Sequence, residues 1–157
     1  MPTGFAAPLD DRFFEDYVPG HVHEFGSVAV TEDEVVEFAR RYDPQPFHTD
    51  LDAARRTQFG GLIASGWQTA GWMMRLVVEH YLSHVASLAS PGVDELRWTQ
   101  PVRPGDTLSV RATVVETRPS ASKPDRGLVR TLFEVLNQRG EVVMSVRAMY
   151  MLKRRGR

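Results

Sequence analysis

The chain has 157 residues, 42% hydrophobic and 25% charged, which suits one globular domain with a core of its own. It has no cysteine, so disulfide staples, thiolate nucleophiles and Cys-ligated metal sites are all excluded. The net charge of −1 is uneven: residues 1–50 hold eleven acidic and three basic side chains, residues 51–157 nine and sixteen. That balance does not suit a nucleic-acid binder.

In chain order, residues 1–25 read as an irregular segment without the basic and apolar regions of a signal peptide. Within it Phe13-Phe14 is expected to pack onto the domain, and Val18-Pro19-Gly20 to turn. Phe25 to Val30 reads as a short first strand. Thr31 caps a helix, with Glu34 as its capping-box partner, and Val35, Val36, Phe38 and Ala39 form that helix's apolar side. It ends near Arg41-Tyr42, because Pro44 and Pro46 each remove a backbone donor and restrain the preceding residue. The spacing predicts a stiff loop carrying Asp43 and His48. A short helix follows, with Leu51, Ala53 and Ala54, and then a break at Phe59-Gly60-Gly61.

The longest helical pattern covers residues 66–84. Trp67, Ala70, Gly71, Met74, Val77, Val78, Tyr81 and Leu82 recur every three or four positions, with Met73 and Leu76 beside them, a stripe expected to face the core. From Ser90 the pattern turns to strands: 93–102, then Leu108, Val110, Ala112 and Val114 alternating with polar neighbours. A polar loop over 118–127, a strand over 128–136, a turn at Asn137–Gly140 and a strand over 142–152 complete the chain. The tail 153–157 is basic and reads as a solubilising end. The sum is an α+β domain spanning 1–157, an antiparallel sheet covered by one long helix, whose exposed edge strand offers a route to a dimer. No apolar run approaches the roughly 18 residues of a membrane span, and a cytoplasmic location is expected.

Few residues carry candidate chemistry. His21 and His23 lack a third metal ligand, and His80 and His84 lack the glutamate of a His-Glu-x-x-His site, so no metal is expected. Asp43 and His48 admit two readings. They can cap neighbouring helices, or they can form an acid/base pair. The second gains from Ala64-Ser65-Gly66 at the start of the long helix, where unpaired backbone N–H groups suit an oxygen gaining negative charge.

Three segments carry a resemblance: Phe38–Asp50 (Phe-Ala-Arg-Arg-Tyr-Asp-Pro-Gln-Pro-Phe-His-Thr-Asp), Phe59–Gly66 (Phe-Gly-Gly-Leu-Ile-Ala-Ser-Gly) and Pro101–Asp106 (Pro-Val-Arg-Pro-Gly-Asp). Their order and spacing resemble the MaoC-like acyl dehydratases and (R)-specific enoyl-CoA hydratases. The resemblance implies a hot-dog fold, a curved sheet wrapped around a central helix, and a homodimer. It also implies reversible hydration of a trans-2-enoyl thioester to a 3-hydroxyacyl thioester. Asp43 and His48 would then handle water and the α-carbon proton, and the Gly66 N–H would hold the thioester oxygen. No cofactor is implied beyond the coenzyme A or acyl-carrier phosphopantetheine that enters with the substrate. Two positions depart from the family pattern: Ser65 stands where many members have histidine, and Trp67 where methionine is usual, so Trp67 is expected to reshape the acyl tunnel. Gln45 and Phe47 are expected at its entrance, and Arg103 and Lys123, with Arg118 and Arg126, near the phosphates. The alternatives are a hot-dog thioesterase, whose helix carboxylate would have to be Glu79, and a non-catalytic thioester-binding module.

Overall fold

The computed structural model describes residues 3–157. Its strands are β1 (Val22–Ala29), β2 (Gly92–Trp98), β3 (Thr107–Pro119), β4 (Arg126–Leu136) and β5 (Val142–Lys153). They form one antiparallel sheet in the order β1-β3-β4-β5-β2, so β1 and β2 are the edges. The helices are α1 (Glu32–Tyr42), α2 (Pro46–Thr49), α3 (Leu51–Arg55) and α4 (Gly66–His80). The sheet curves around α4, which is the expected hot-dog arrangement.

Period-two patterning sets the sheet's inner face. Leu108, Val110, Ala112 and Val114 of β3 are buried, as are Val129, Phe133 and Val135 of β4 and Met144, Val146 and Ala148 of β5. They share one core with Met73, Leu76 and Val77 of α4. The helix is rotated from the face expected of it. Its buried side is Gln68, Thr69, Met73, Leu76 and Val77, while Trp67, Met74 and Val78 look outward. The helix is apolar nearly all round, so periodicity alone did not select which stripe meets the sheet.

Four boundaries also differ from the sequence reading. β1 begins at Val22, because pairing with β3 from Val22↔Thr113 to Ala29↔Thr107 recruits polar residues that an edge strand tolerates. A register shift between Phe25 and Val28 surrounds Gly26, whose φ is +83°. A Cβ there would lie 2.7 Å from Leu76 Cδ2, so this glycine lets α4 approach the sheet. β2 stops at Trp98, short of the expected 102. β3 extends to Pro119, paired with Gly127, which shortens the polar loop.

The fourth boundary is the end of α4 at His80, where the N-terminal segment straps the helix. Arg12, only 6% exposed, donates to the carbonyls of His80 at 3.2 Å, Tyr81 at 2.9 Å and Ala7 at 2.9 and 3.1 Å. The Tyr17 hydroxyl donates to Tyr81 O at 2.8 Å. A buried cation thus meets the negative end of the helix dipole and satisfies carbonyls the helix cannot pair itself. Phe14 is buried as expected, and Phe5 lies over the Arg12 guanidinium at 3.5 Å. The basic tail is tied down rather than free: Arg155 meets Asp11 and Asp16, each at 2.9 Å, and Arg154 meets Glu15 at 3.4 Å. The uneven charge of the two halves is partly neutralised there, although exposed pairs of this kind stabilise little.

The strap also encloses His23, whose ring stacks on Phe5 at 3.9 Å and whose Nε2 has no hydrogen-bond partner among the described residues. Burial pushes its pKa down to about 4. The folded state therefore holds His23 neutral, while the unfolded chain takes up a proton near pH 6.5. Stability from this residue is complete above pH 6.5 and is lost as pH falls toward 4, by about 2–3 kcal/mol in all. Urea unfolding of the wild type should weaken between pH 7.5 and 4.5 by that margin more than His23→Phe does. Equal losses in the two proteins would remove His23 from the account.

Candidate active site

Asp43 caps the C-terminus of α1, its N–H donating to Ala39 O at 2.8 Å. The expected loop after it holds a turn of helix. Pro46 occupies the first position of α2, where a missing N–H costs nothing and its φ is already helical, and this places His48 on α2. The His48 ring is 4% exposed. Its Nδ1 lies 2.7 Å from Ile63 O, and since a carbonyl only accepts, Nδ1 carries a proton and donates. Nε2 is thereby turned to Asp43 Oδ2, at 3.2 Å.

The segment before α4 is stitched on both sides. Ile63 N donates to Phe47 O at 3.2 Å, and Ala64 N to Val102 O at 2.8 Å. Ser65 follows, fully buried, as the N-cap: its Oγ accepts from Trp67 N at 3.3 Å and donates to Asp43 Oδ2 at 2.7 Å. Gln45 Nε2 donates to Asp43 Oδ1 at 2.7 Å. Desolvation works to raise the Asp43 pKa. Hydrogen bonds from Gln45 and Ser65, together with the His48 contact, outweigh it, and the carboxyl sits below the usual range.

Gly66 opens α4, and among the described residues no protein acceptor takes its N–H. Trp98, at the end of β2, lies against it: a Cβ on Gly66 would come 2.3 Å from Trp98 Cε2, so only glycine fits. A cleft of about 300 Å³ opens here, lined by His48, Phe59, Ile63, Gly66, Thr69 and Trp98, with Thr99 to Val102 as its far wall. Its walls are mostly apolar, as in small-molecule sites.

The structure brings Asp43, His48, Ser65 and Gln45 into one hydrogen-bonded group; of the four only His48 lines the cleft, as Gly66 does, while Asp43, Gln45 and Ser65 stand behind it. Phe47 lies behind, edge-on to His48 at 4.4 Å and 5.7 Å from Phe59, rather than on the cleft wall. Trp67 also lies off the cleft, 60% exposed, and meets Trp98 edge-to-face at 5.0 Å. The indole on the cleft is therefore that of Trp98, which the sequence reading missed along with Thr69 and Phe59. Arg103 reaches the Gly60-Gly61 turn beside Phe59, its Nη1 3.7 Å from where a Gly61 Cβ would stand. Lys123 is exposed in the β3–β4 loop, at the far end of that hairpin from the cleft, and Arg126 is paired with Asp125 at 2.9 Å. Glu79 pairs with Arg75 at 2.9 Å near the opposite end of α4. Among the described residues no group of three or more His, Asp or Glu side chains could hold a metal, and no helix is long and apolar enough to cross a membrane.

The fold is shared with known proteins. Residues 16–133 match the model of the MaoC like domain. A MaoC-like dehydratase structure from Rhodospirillum rubrum is 42% identical, with a TM-score of 0.86 over 93% of this chain and 99% of its own. The unliganded R-hydratase PhaJ1 from Pseudomonas aeruginosa is 28% identical, with a TM-score of 0.71 over 90% of this chain and 85% of its own. An uncharacterized protein of Bacillus subtilis, YdeM, is 27% identical over 89% of this chain and 98% of its own.

Proposed function

The chain belongs to the MaoC-like dehydratase family, and we infer from that premise that it reversibly hydrates a trans-2-enoyl thioester to the 3-hydroxyacyl thioester. The observation that carries the inference is the 3.2 Å approach of Asp43 Oδ2 to His48 Nε2, on a ring that lines an apolar cleft together with Gly66. Two acceptors do not face each other at that distance without a proton between them, so the pair works with one proton to exchange. In hydration the Gly66 N–H holds the thioester oxygen, draws electron density from the β-carbon and stabilises the enolate. Asp43 removes a proton from water as its oxygen bonds to the β-carbon, and His48 delivers the Nε2 proton to the α-carbon. The pair resets when Asp43 gives its acquired proton to solvent and His48 regains one from it, and one water has been added. Coming from one adjacent pair, the hydroxyl and the proton reach the same face of the double bond, which is syn addition. Dehydration is the reverse.

The reaction needs no metal or redox cofactor. Arg103 beside the Gly60-Gly61 turn is the cation placed to meet phosphate of coenzyme A or of carrier-bound phosphopantetheine, and the protein acts in the cytoplasm. We also propose a homodimer, supported by the open edge of β2 and the outward apolar residues Trp67, Met74, Val78 and Trp98. The thioesterase reading loses support because Glu79 lies thirteen residues along α4 from Gly66, about 20 Å at helical rise.

Purified protein, eluting at twice the 17.7 kDa chain mass, should deplete the conjugated-thioester absorbance of crotonyl-CoA or of a longer or branched enoyl-CoA. It should release no thiol from saturated acyl-CoAs. Absence of turnover across such a panel would refute the hydratase reading, and tight binding without turnover would point to a binding module.

A further inference from the structure

Ser65 stands outside the proton transfers just described, yet it is fully buried and makes two hydrogen bonds with different consequences. One, accepted from Trp67 N at 3.3 Å, is an ordinary helix cap. The other, donated to Asp43 Oδ2 at 2.7 Å, joins the carboxylate on α1 to the first turn of α4, twenty-two residues away in sequence. A carboxylate oxygen has about two lone-pair sites. Oδ2 meets both the Ser65 hydroxyl and His48 Nε2, which fills it; Oδ1 meets only Gln45 Nε2, which leaves one site open.

We propose that Ser65 is a positioning residue for the hydration reaction: it fills Asp43 Oδ2, locks the carboxylate's orientation to the Gly66 end of α4, and so makes Oδ1 the oxygen that takes the proton from water. The assignment rests on the hydratase reading for its reaction but on hydrogen-bond geometry for its claim about Asp43. Base and carbonyl donor are then held in register by one hydroxyl, since Ser65 immediately precedes Gly66. Without it the carboxylate is free to rotate about its Cβ–Cγ bond and loses a donor that favours its ionised form.

Two variants separate positioning from capping. Ser65→Ala removes both bonds. Ser65→Asp keeps a strong N-cap but cannot donate when ionised, and it sets a second carboxylate beside Asp43. With crotonyl-CoA, Ser65→Ala should lower kcat about 10- to 100-fold, the effect of losing a hydrogen bond to a charged group, while KM stays within about threefold. The acid limb of its kcat/KM profile should move to higher pH. Ser65→Asp should melt below the wild type, since it buries a second carboxylate, and show lower kcat and an acid limb shifted at least as far. The Asp43 carboxyl followed by carbon-13 NMR without substrate should titrate at higher pH in both variants. If Ser65 is only a cap, Ser65→Ala melts lower with kcat and the Asp43 titration unchanged, and the proposal is overturned. Were the wild type to hydrate nothing, the NMR titration would still decide the Ser65–Asp43 link, and the hydratase reading alone would fall.

Discussion

Asp43→Asn is expected to reduce enoyl-thioester hydration by about 10²- to 10⁴-fold, the contribution typical of a positioned general base. Asparagine keeps the shape of the side chain, so its Oδ1 can still accept from Ser65 and the α1 C-terminus keeps its backbone bond. What it loses is the capacity to take a proton, and its amide donates where the carboxylate accepted from Gln45. Thermal unfolding should therefore stay close to wild type while kcat collapses. His48→Ala should be at least as inactive but also less stable, because Ile63 O loses its donor in a buried place. Steady-state kinetics on the best enoyl-CoA, run beside melting curves, checks both. Asp43→Asn activity within tenfold of wild type would remove Asp43 from the base role.

Arg12→Ala is expected to be the most destabilising single change in the N-terminal segment, at about 3–5 kcal/mol. The guanidinium satisfies the carbonyls of Ala7, His80 and Tyr81 at once, those of Ala7 and Tyr81 in buried places. Burial lowers the Arg12 pKa, which reflects the cost of placing the cation there, with the tyrosines and Asp16 partly offsetting it. Truncation leaves the carbonyls of Ala7 and His80 without their donor, with only Tyr17 still meeting Tyr81 O, and Phe5 without the cation over its ring. Urea unfolding should show the loss as a lower midpoint at unchanged m-value. A shift below about 1 kcal/mol would show that the strap contributes little.

Local signals made much of this fold readable. Thr31 caps α1, its Oγ1 accepting from Glu34 N at 3.3 Å, although the return bond of a capping box is not made. The alternation from Leu108 to Val114 and the Asn137–Gly140 turn follow the sequence residue by residue, as does the inward face of β5 from Met144 to Leu152, while at its start Val143 is buried in place of Val142. Asp43 and His48 were legible because the prolines between them fix the chain locally. Features set by long-range packing were not. Nothing near Arg12 in sequence says that it will meet the end of a helix sixty-eight residues on. The face of α4 depends on where Gly26 lets the helix settle. Trp98 reaches Gly66 only because β2 runs along β5 at the sheet edge. Hence Trp67, adjacent to Gly66 in sequence, looked like the cleft's indole, and Trp98 holds that place.

The contact between Trp98 and Gly66 has an optical consequence. The indole is 44% exposed, so part of its surroundings is water and part is the cleft wall. Any apolar ligand entering beside it would replace water against the ring and move its emission to shorter wavelength. Trp67, 5.0 Å away, lies close enough to exchange excitation with it. The chain thus carries a fluorophore at the candidate cleft, and its occupancy by an added ligand is expected to be readable from unlabelled protein before any bond is made or broken.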